Sequence, residues 1–157
     1  MIELLRIDDR LIHAQVVIGW GRVLHPDRLV IADDEVASSE WEKKVYTSAA
    51  PPEVRVSILT LGEAVEQING GVFDCERIIL LVRSPASVLG LISLGLAVEE
   101  VNVGGLHYAE GREKVLENIY LDGTMRGDLR ELVKRGITLE ARALPEHDSV
   151  ILNSKVV

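Results

Sequence analysis

Arg6, Asp8, Asp9, Arg10 and His13 crowd two guanidinium groups, two carboxylates and an imidazole into one short stretch near the start of the chain. Guanidinium forks match phosphate oxygens bidentately, and a helix beginning just beyond would add backbone N–H donors and the positive end of its dipole. Such a loop is suited to an anion. His13 adds a nucleophile, since an imidazole with an ordinary pKa of about 6.5 is available in neutral form near neutral pH. Its second ring nitrogen can be oriented by a carboxylate or a carbonyl. A nucleophile beside phosphate-binding arginines points to phosphoryl transfer. The same residues also fit a plain helix start, capped by Asp8 or Asp9, with solvated arginines and a half-buried histidine.

The elements that must position this loop can be read from the apolar pattern. Residues 2–7, 28–32, 54–59, 77–82, 101–103, 118–121 and 138–143 read as strands. Their apolar runs are continuous more than alternating, most clearly in Ile78-Ile79-Leu80-Leu81-Val82, as in a parallel sheet covered on both faces. Residues 12–20, 39–48, 62–68, 87–94, 112–116 and 128–134 carry helical spacing. Pro51-Pro52, Gly70-Gly71 and Gly136 punctuate helix ends. The expected fold is α/β: an open, mainly parallel sheet of six or seven strands with helices on both faces, in one domain over 1–157. Sheets of this kind bind ligands at the carboxyl ends of their strands, which is where the loop after the first strand lies.

Composition narrows the function classes. With 47% apolar and 27% charged residues the chain is neither disordered nor fibrous. A net charge of −8 without a large Lys/Arg cluster argues against nucleic acid as a partner. The most apolar uncharged run, Val88 to Val98, is too short to cross a bilayer, and the first residues lack a signal-peptide layout. A cytoplasmic protein is expected. Cys75, the single cysteine, excludes an internal disulfide and any CxxC motif, and reads as an inert thiol.

The remaining chemistry-bearing residues are less pointed. His25, His107 and His147 form no ligand pair, so neither a metal nor a cofactor is expected. Gly19-Trp20-Gly21 is an incomplete dinucleotide fingerprint, and there is no GxxxxGK[ST] cradle. Gly104-Gly105 after a strand suits either a close backbone approach to phosphate or a tight turn, and His107 beyond it could line the same mouth. Ser84 before Pro85 could donate to a phosphate, but a helix cap is the preferred reading. Trp20 and Trp41 are expected as core or interface anchors.

Arg6-Ile7-Asp8-Asp9-Arg10-Leu11-Ile12-His13-Ala14-Gln15-Val16-Val17, closing at Trp20, resembles the RIDDRLIHGQV signature of the mannose/fructose/sorbose-family phosphotransferase system (PTS) IIB component. Trp41, Ala49-Ala50-Pro51, Val101-Asn102-Val103-Gly104-Gly105 with His107, and Lys134-Arg135-Gly136-Ile137 fall where that family has similar features, so the resemblance spans nearly the whole chain. It implies a cytoplasmic phosphocarrier, peripheral to the inner membrane through its permease. His13 would accept a phosphoryl group, at Nδ1, from a phosphohistidine on a IIA partner. It would then donate the group to the 6-hydroxyl of a hexose held by the membrane subunits IIC and IID. Arg10 would steady the phosphate, with Arg6 a weaker phosphate ligand and Asp9 an orienting group. The sugar and the oligomeric state, a homodimer included, stay open. Ala14 replaces the family's glycine: costly if that position needs positive φ, favourable by about 1 kcal/mol if it is helical. It motivates an alternative, a regulatory phosphoprotein uncoupled from transport. A third reading is an α/β domain that binds an anion without covalent chemistry.

Overall fold

Six of the seven expected runs enter one seven-stranded sheet, whose spatial order is 55–59, 28–32, 78–82, 2–8, 100–105, 138–141 and 150–152. The last of these is not among the expected strands, and the run at 118–121 lies outside this sheet. The computed structural model describes residues 1–153 and 155–157. Strands β1 (Ile2–Asp8), β2 (Arg28–Ala32), β3 (Arg55–Leu59), β4 (Ile78–Val82), β5 (Glu100–Gly105) and β8 (Thr138–Ala141) run parallel, and β9 (Val150–Leu152) closes the edge antiparallel to β8. All five residues of β4 are buried, as its unbroken aliphatic run requires of a strand covered on both faces.

Two apolar clusters lie on opposite sides of the sheet. Leu5, Ile7, Leu80 and Val82 meet α4 (Leu61–Asn69), α5 (Pro85–Ser93) and α6 (Gly123–Lys134) on one side. On the other, Leu29, Ile31, Ile79 and Leu81 meet Leu11, Ile12, Val16, Trp20 and Val36. This second layer is built from a π-helical segment, Gln15–Trp20, that runs on into α1 (Gly21–Leu24), together with α2 (Asp34–Ala37) and α3 (Glu40–Ala49). The architecture is the expected three-layer α/β/α sandwich.

Two further elements depart from expectation. Residues 112–116 do not form a helix: β6 (Glu113–Leu116) pairs antiparallel with β7 (Ile119–Leu121). Leu116 faces Ile119, so Glu117 and Asn118 make a two-residue turn, and Asn118 takes the left-handed conformation (φ 64) that such turns demand. In α6 the helix starts earlier than the 128–134 pattern, at Gly123, where Asp122 caps it by accepting from the Met125 N–H (2.8 Å). Ser84 caps α5 as read, accepting from the Ser87 N–H.

Because the inner strands are parallel, their carboxyl ends share one edge of the sandwich. Asp8, Asp33, Arg83 and Leu106 all sit there, each at or just beyond a strand end. The loop between β1 and the π-helical segment emerges near the middle of that edge, flanked by β4 and β5.

Candidate functional site

Side chains along a strand alternate between faces, so Arg6 and Asp8 project to the same side of β1. Both are 0% exposed, and the Arg6 Nη2 donates to Asp8 Oδ2 at 2.9 Å. Past Asp8 the chain turns sharply. The Arg10 N–H donates to Asp8 Oδ1 (3.1 Å), the Leu11 N–H to the Asp8 carbonyl (3.0 Å) and the Asp9 N–H to the Gly105 carbonyl (3.0 Å). Leu11 is held at φ 56, a conformation that costs a non-glycine residue on the order of 1 kcal/mol or more. Its side chain is fully buried in the second cluster, which offsets that cost by roughly 1.5–3 kcal/mol. Ala14 is helical (φ −54, ψ −39) and exposed, so the position needs no glycine and the substitution carries no strain.

His13 therefore rises from a braced loop, with 15% of its side chain exposed. Its Nε2 lies 2.9 Å from Asp8 Oδ2, and the Gln15 N–H donates to its Nδ1 at 3.3 Å. Burial alone would push the Asp8 carboxyl up. The hydrogen bond with His13, the charge of Arg6 and the backbone donor of Arg10 outweigh it and hold Asp8 well below the ordinary carboxylate range. An ionised carboxylate only accepts hydrogen bonds, so His13 Nε2 carries a proton and donates it. The donor aimed at Nδ1 matches a lone pair there. The two ends of the ring agree: a neutral His13 keeps its lone pair on Nδ1. Arg10, with 38% of its side chain exposed, reaches Asp8 through Nε (3.3 Å) and Gln15 Oε1 through Nη2 (2.7 Å), which parks its guanidinium on the Gln15 side of the imidazole.

This combination of a buried carboxylate, a half-buried imidazole and a partly exposed guanidinium on an open α/β sheet sits in a chain that matches a known family over nearly its whole length. The family described as PTS system sorbose subfamily IIB component aligns with residues 2–156. The chain belongs to that family. It is 32% identical over 155 residues to the sorbose-specific EIIB component of Klebsiella pneumoniae, covering 99% of this chain and 94% of that protein. It is 30% identical over 156 residues to the sorbose-specific EIIB component of Lacticaseibacillus casei, covering 99% and 95%. The crystal structure of the IIBSor domain of the Klebsiella pneumoniae sorbose permease superposes with a TM-score of 0.89 at 32% identity, covering 96% of this chain and 92% of that one. A IIB component of the phosphotransferase system acts in sugar transport, in company with IIA and the IIC/IID components. No helix among the described residues is long and apolar enough to cross a membrane.

Within this IIB fold the residues singled out in the sequence separate into distinct groups. Arg6 is not at the mouth. Its guanidinium is sealed behind Asp8, donating also to Asn102 Oδ1 (2.7 Å) and the Arg142 carbonyl (3.2 Å), so it offers nothing to a phosphate. Asp9 does not touch His13; it accepts from the His107 N–H (2.9 Å), sits 2.5 Å from His107 Nδ1 and 3.5 Å from Arg112 Nη1. Asp8 holds His13 instead. The alternation that puts Arg6 and Asp8 on one face and Asp9 on the other was available in the sequence as the signal for this. Gly104 and Gly105 are needed for packing: a Cβ on Gly104 would fall on the Arg6 guanidinium, and one on Gly105 would meet both Asp8 oxygens at 3.3 Å. His107 does come to the same edge, tied to Asp9, while Ser84 lines a separate cleft with Asp33, Glu35 and Arg83. Asp8, Asp9 and His107 place ligand atoms within 4.8 Å of one another, but Arg6, Arg10 and Arg112 already supply the positive charge around them. Asn102 and Arg112 went unassigned in the sequence because their partners are distant in it or on the backbone, and Gln15 because its contacts with Arg10 and His13 depend on how the loop turns.

Proposed function

We propose that this chain is the cytoplasmic phosphocarrier of a sugar phosphotransferase system, with His13 as the residue that is phosphorylated. The observation that carries the reading is the His13 Nε2 to Asp8 Oδ2 hydrogen bond at 2.9 Å, which leaves the lone pair on Nδ1, where the Gln15 N–H points. In the first transfer the Nδ1 pair attacks the phosphorus of a phosphohistidine on IIA. The new N–P bond forms as the donor's N–P bond breaks, and the donor imidazole keeps that pair. Arg10 swings from Gln15 Oε1 onto the phosphoryl oxygens, and the Gln15 N–H, already aimed at Nδ1, becomes a further donor to them. In the second transfer the O6 hydroxyl of a hexose held by IIC/IID attacks phosphorus, the Nδ1–P bond breaks with its pair returning to Nδ1, and the hydroxyl proton passes to a base. Asp8 keeps the imidazole upright through both steps.

Ala14 gives no support to a regulatory protein uncoupled from transport, since it adopts helical geometry without strain. Incubation with a phosphorylated IIA donor tests the proposal. The expected product is an acid-labile, alkali-stable adduct that is absent from His13→Ala. No adduct, or an adduct that persists in His13→Ala, refutes it.

A further inference from the structure

Arg6 is a guanidinium with no exposed surface, which is costly unless it is paired; its Nη1 and Nη2 are paired, while its Nε has no hydrogen-bond partner among the described residues. The fold devotes residues from two strands, β1 and β5, and the segment after β8 to holding it. Nη2 donates to Asp8 Oδ2, and Nη1 donates to Asn102 Oδ1 in β5 and to the Arg142 carbonyl after β8. Asn102 Nδ2 donates to that same carbonyl at 3.1 Å, so the Asn102 amide is oriented with its oxygen toward Arg6. Gly104 leaves the space in which the guanidinium lies. Trp20 covers it, with the Arg6 Cζ 5.9 Å from the ring centroid and the indole N–H donating to the Ala143 carbonyl at 2.9 Å. Among the described residues, the assembly reaches His13 through the Asp8 carboxylate.

We infer that Arg6, braced by Asn102 and Gly104, is a positioning residue that sets which nitrogen of His13 is free, by keeping Asp8 a carboxylate in a site from which water is excluded. The inference rests on the phosphocarrier reading and deepens it. The logic lies in the hydrogen-bond inventory of a carboxyl group. An ionised Asp8 can only accept, so Nε2 must bring the proton and Nδ1 keeps its pair. A protonated Asp8 would instead donate its O–H to Nε2, and the neutral ring would then hold its proton on Nδ1, where the phosphoryl group has to attach. A carboxyl with no exposed surface takes up a proton readily unless a fixed positive charge opposes it. The charged and titratable groups around Asp8 are Arg6 from its own strand, Arg10 and His13 from the loop, and Asp9 with His107 across Gly105. Arg10 has 38% of its side chain in solvent and must leave for the phosphate, and His13 is the group being controlled. Arg6 is the member of the set that is charged, buried and immobile throughout.

The test is NMR on the unphosphorylated chain. The 15N shifts and couplings of the His13 ring identify the tautomer, and the 13C shift of the Asp8 carboxyl follows its ionisation between pH 4 and 8, in the wild type, Arg6→Met and Arg6→Lys. The wild type is expected to hold Nε2–H with Asp8 ionised throughout. In Arg6→Met, Asp8 is expected to titrate inside that range, with the Nδ1–H form appearing as it does so and phosphorylation by IIA falling at least tenfold at the acid end. Arg6→Lys, which restores the charge without the fork, is expected to return the wild-type tautomer. A wild type whose neutral ring carries its proton on Nδ1 overturns the inference. So does a folded Arg6→Met with wild-type tautomer and Asp8 titration, or a folded Arg6→Lys that loses the tautomer; if Arg6→Met does not fold, the wild type and the lysine variant decide. The adduct assay reads the carrier role separately. A protein that is phosphorylated while Arg6→Met keeps its tautomer refutes the brace alone, and one never phosphorylated refutes the carrier reading.

Discussion

Replacing Gly104 with alanine puts a methyl group where the Arg6 guanidinium now lies. The nearest atoms are the central carbon and both terminal nitrogens of that group, so the whole fork must move and its bonds to Asp8 and Asn102 cannot all survive. Forcing an extra methyl into packed interior costs about 1–3 kcal/mol, and stripping one partner from a buried ion pair costs about 3–5 kcal/mol. Because Arg6 can keep part of its network after a shift, a loss of about 3 kcal/mol is expected. With a urea dependence of about 1–3 kcal/mol per molar, that loss lowers the unfolding midpoint by roughly 1–3 M. Gly127→Ala is the matched control. Gly127 lies inside α6 with nothing within 4 Å of the added carbon, so the same chemical change should stabilise the protein by up to about 1 kcal/mol. Urea titrations followed by far-UV circular dichroism measure both. A Gly104→Ala protein within about 1 kcal/mol of wild type, beside a Gly127→Ala that behaves as expected, would refute the packing of Arg6 on which the site is built.

Arg10→Ala should fold normally, since the side chain is partly exposed, yet slow phosphorylation by about 10–100-fold, with Arg10→Lys in between; rapid-quench assays with phosphorylated IIA check the order. The depressed Asp8 pKa has a pH signature. Asp8 adds stability that is fully present above the unfolded value of about 3.9 and is lost as pH falls through the lower folded value, so unfolding takes up a proton in that interval. The fall in Tm between pH 5 and 2 should therefore be shallower in Asp8→Asn than in wild type. Trp20 is buried and Trp41 is 73% exposed, so iodide should quench Trp41→Phe protein poorly and Trp20→Phe protein well. By the same contrast Trp20→Ala should cost about 3–5 kcal/mol and Trp41→Ala less than about 0.5 kcal/mol in denaturant titrations.

The sheet was legible because its inner strands are aliphatic throughout: Ile78 to Val82 has no polar residue to suggest a solvent face, and none of it is exposed. Capping chemistry was legible for the same local reason, as at Ser84 and Pro85. What sequence order concealed was pairing at a distance. Residues 112–116 look helical until Ile119–Leu121 is brought against them, and Val150–Leu152 becomes a strand through Leu139–Ala141. In the site, residue types were visible and directions were not. Asp8 and Asp9 are adjacent and chemically identical, yet strand alternation sends one to His13 and the other to His107. Trp20 and Trp41 looked equivalent, but Trp41 lies on the outer face of α3 and joins no core.

Leu11 bears on how fast a phosphoryl carrier can change partners. With its backbone in a left-handed turn and its side chain driven into the second cluster, it pins the loop from beneath. An arriving partner meets an imidazole whose position is already set, and no ordering entropy is charged to the encounter. Such an encounter can be productive while remaining weak, and a weak complex dissociates quickly. On the proposed carrier role, in which the protein serves a donor and an acceptor in alternation, a leucine held in an unfavourable conformation favours short residence times.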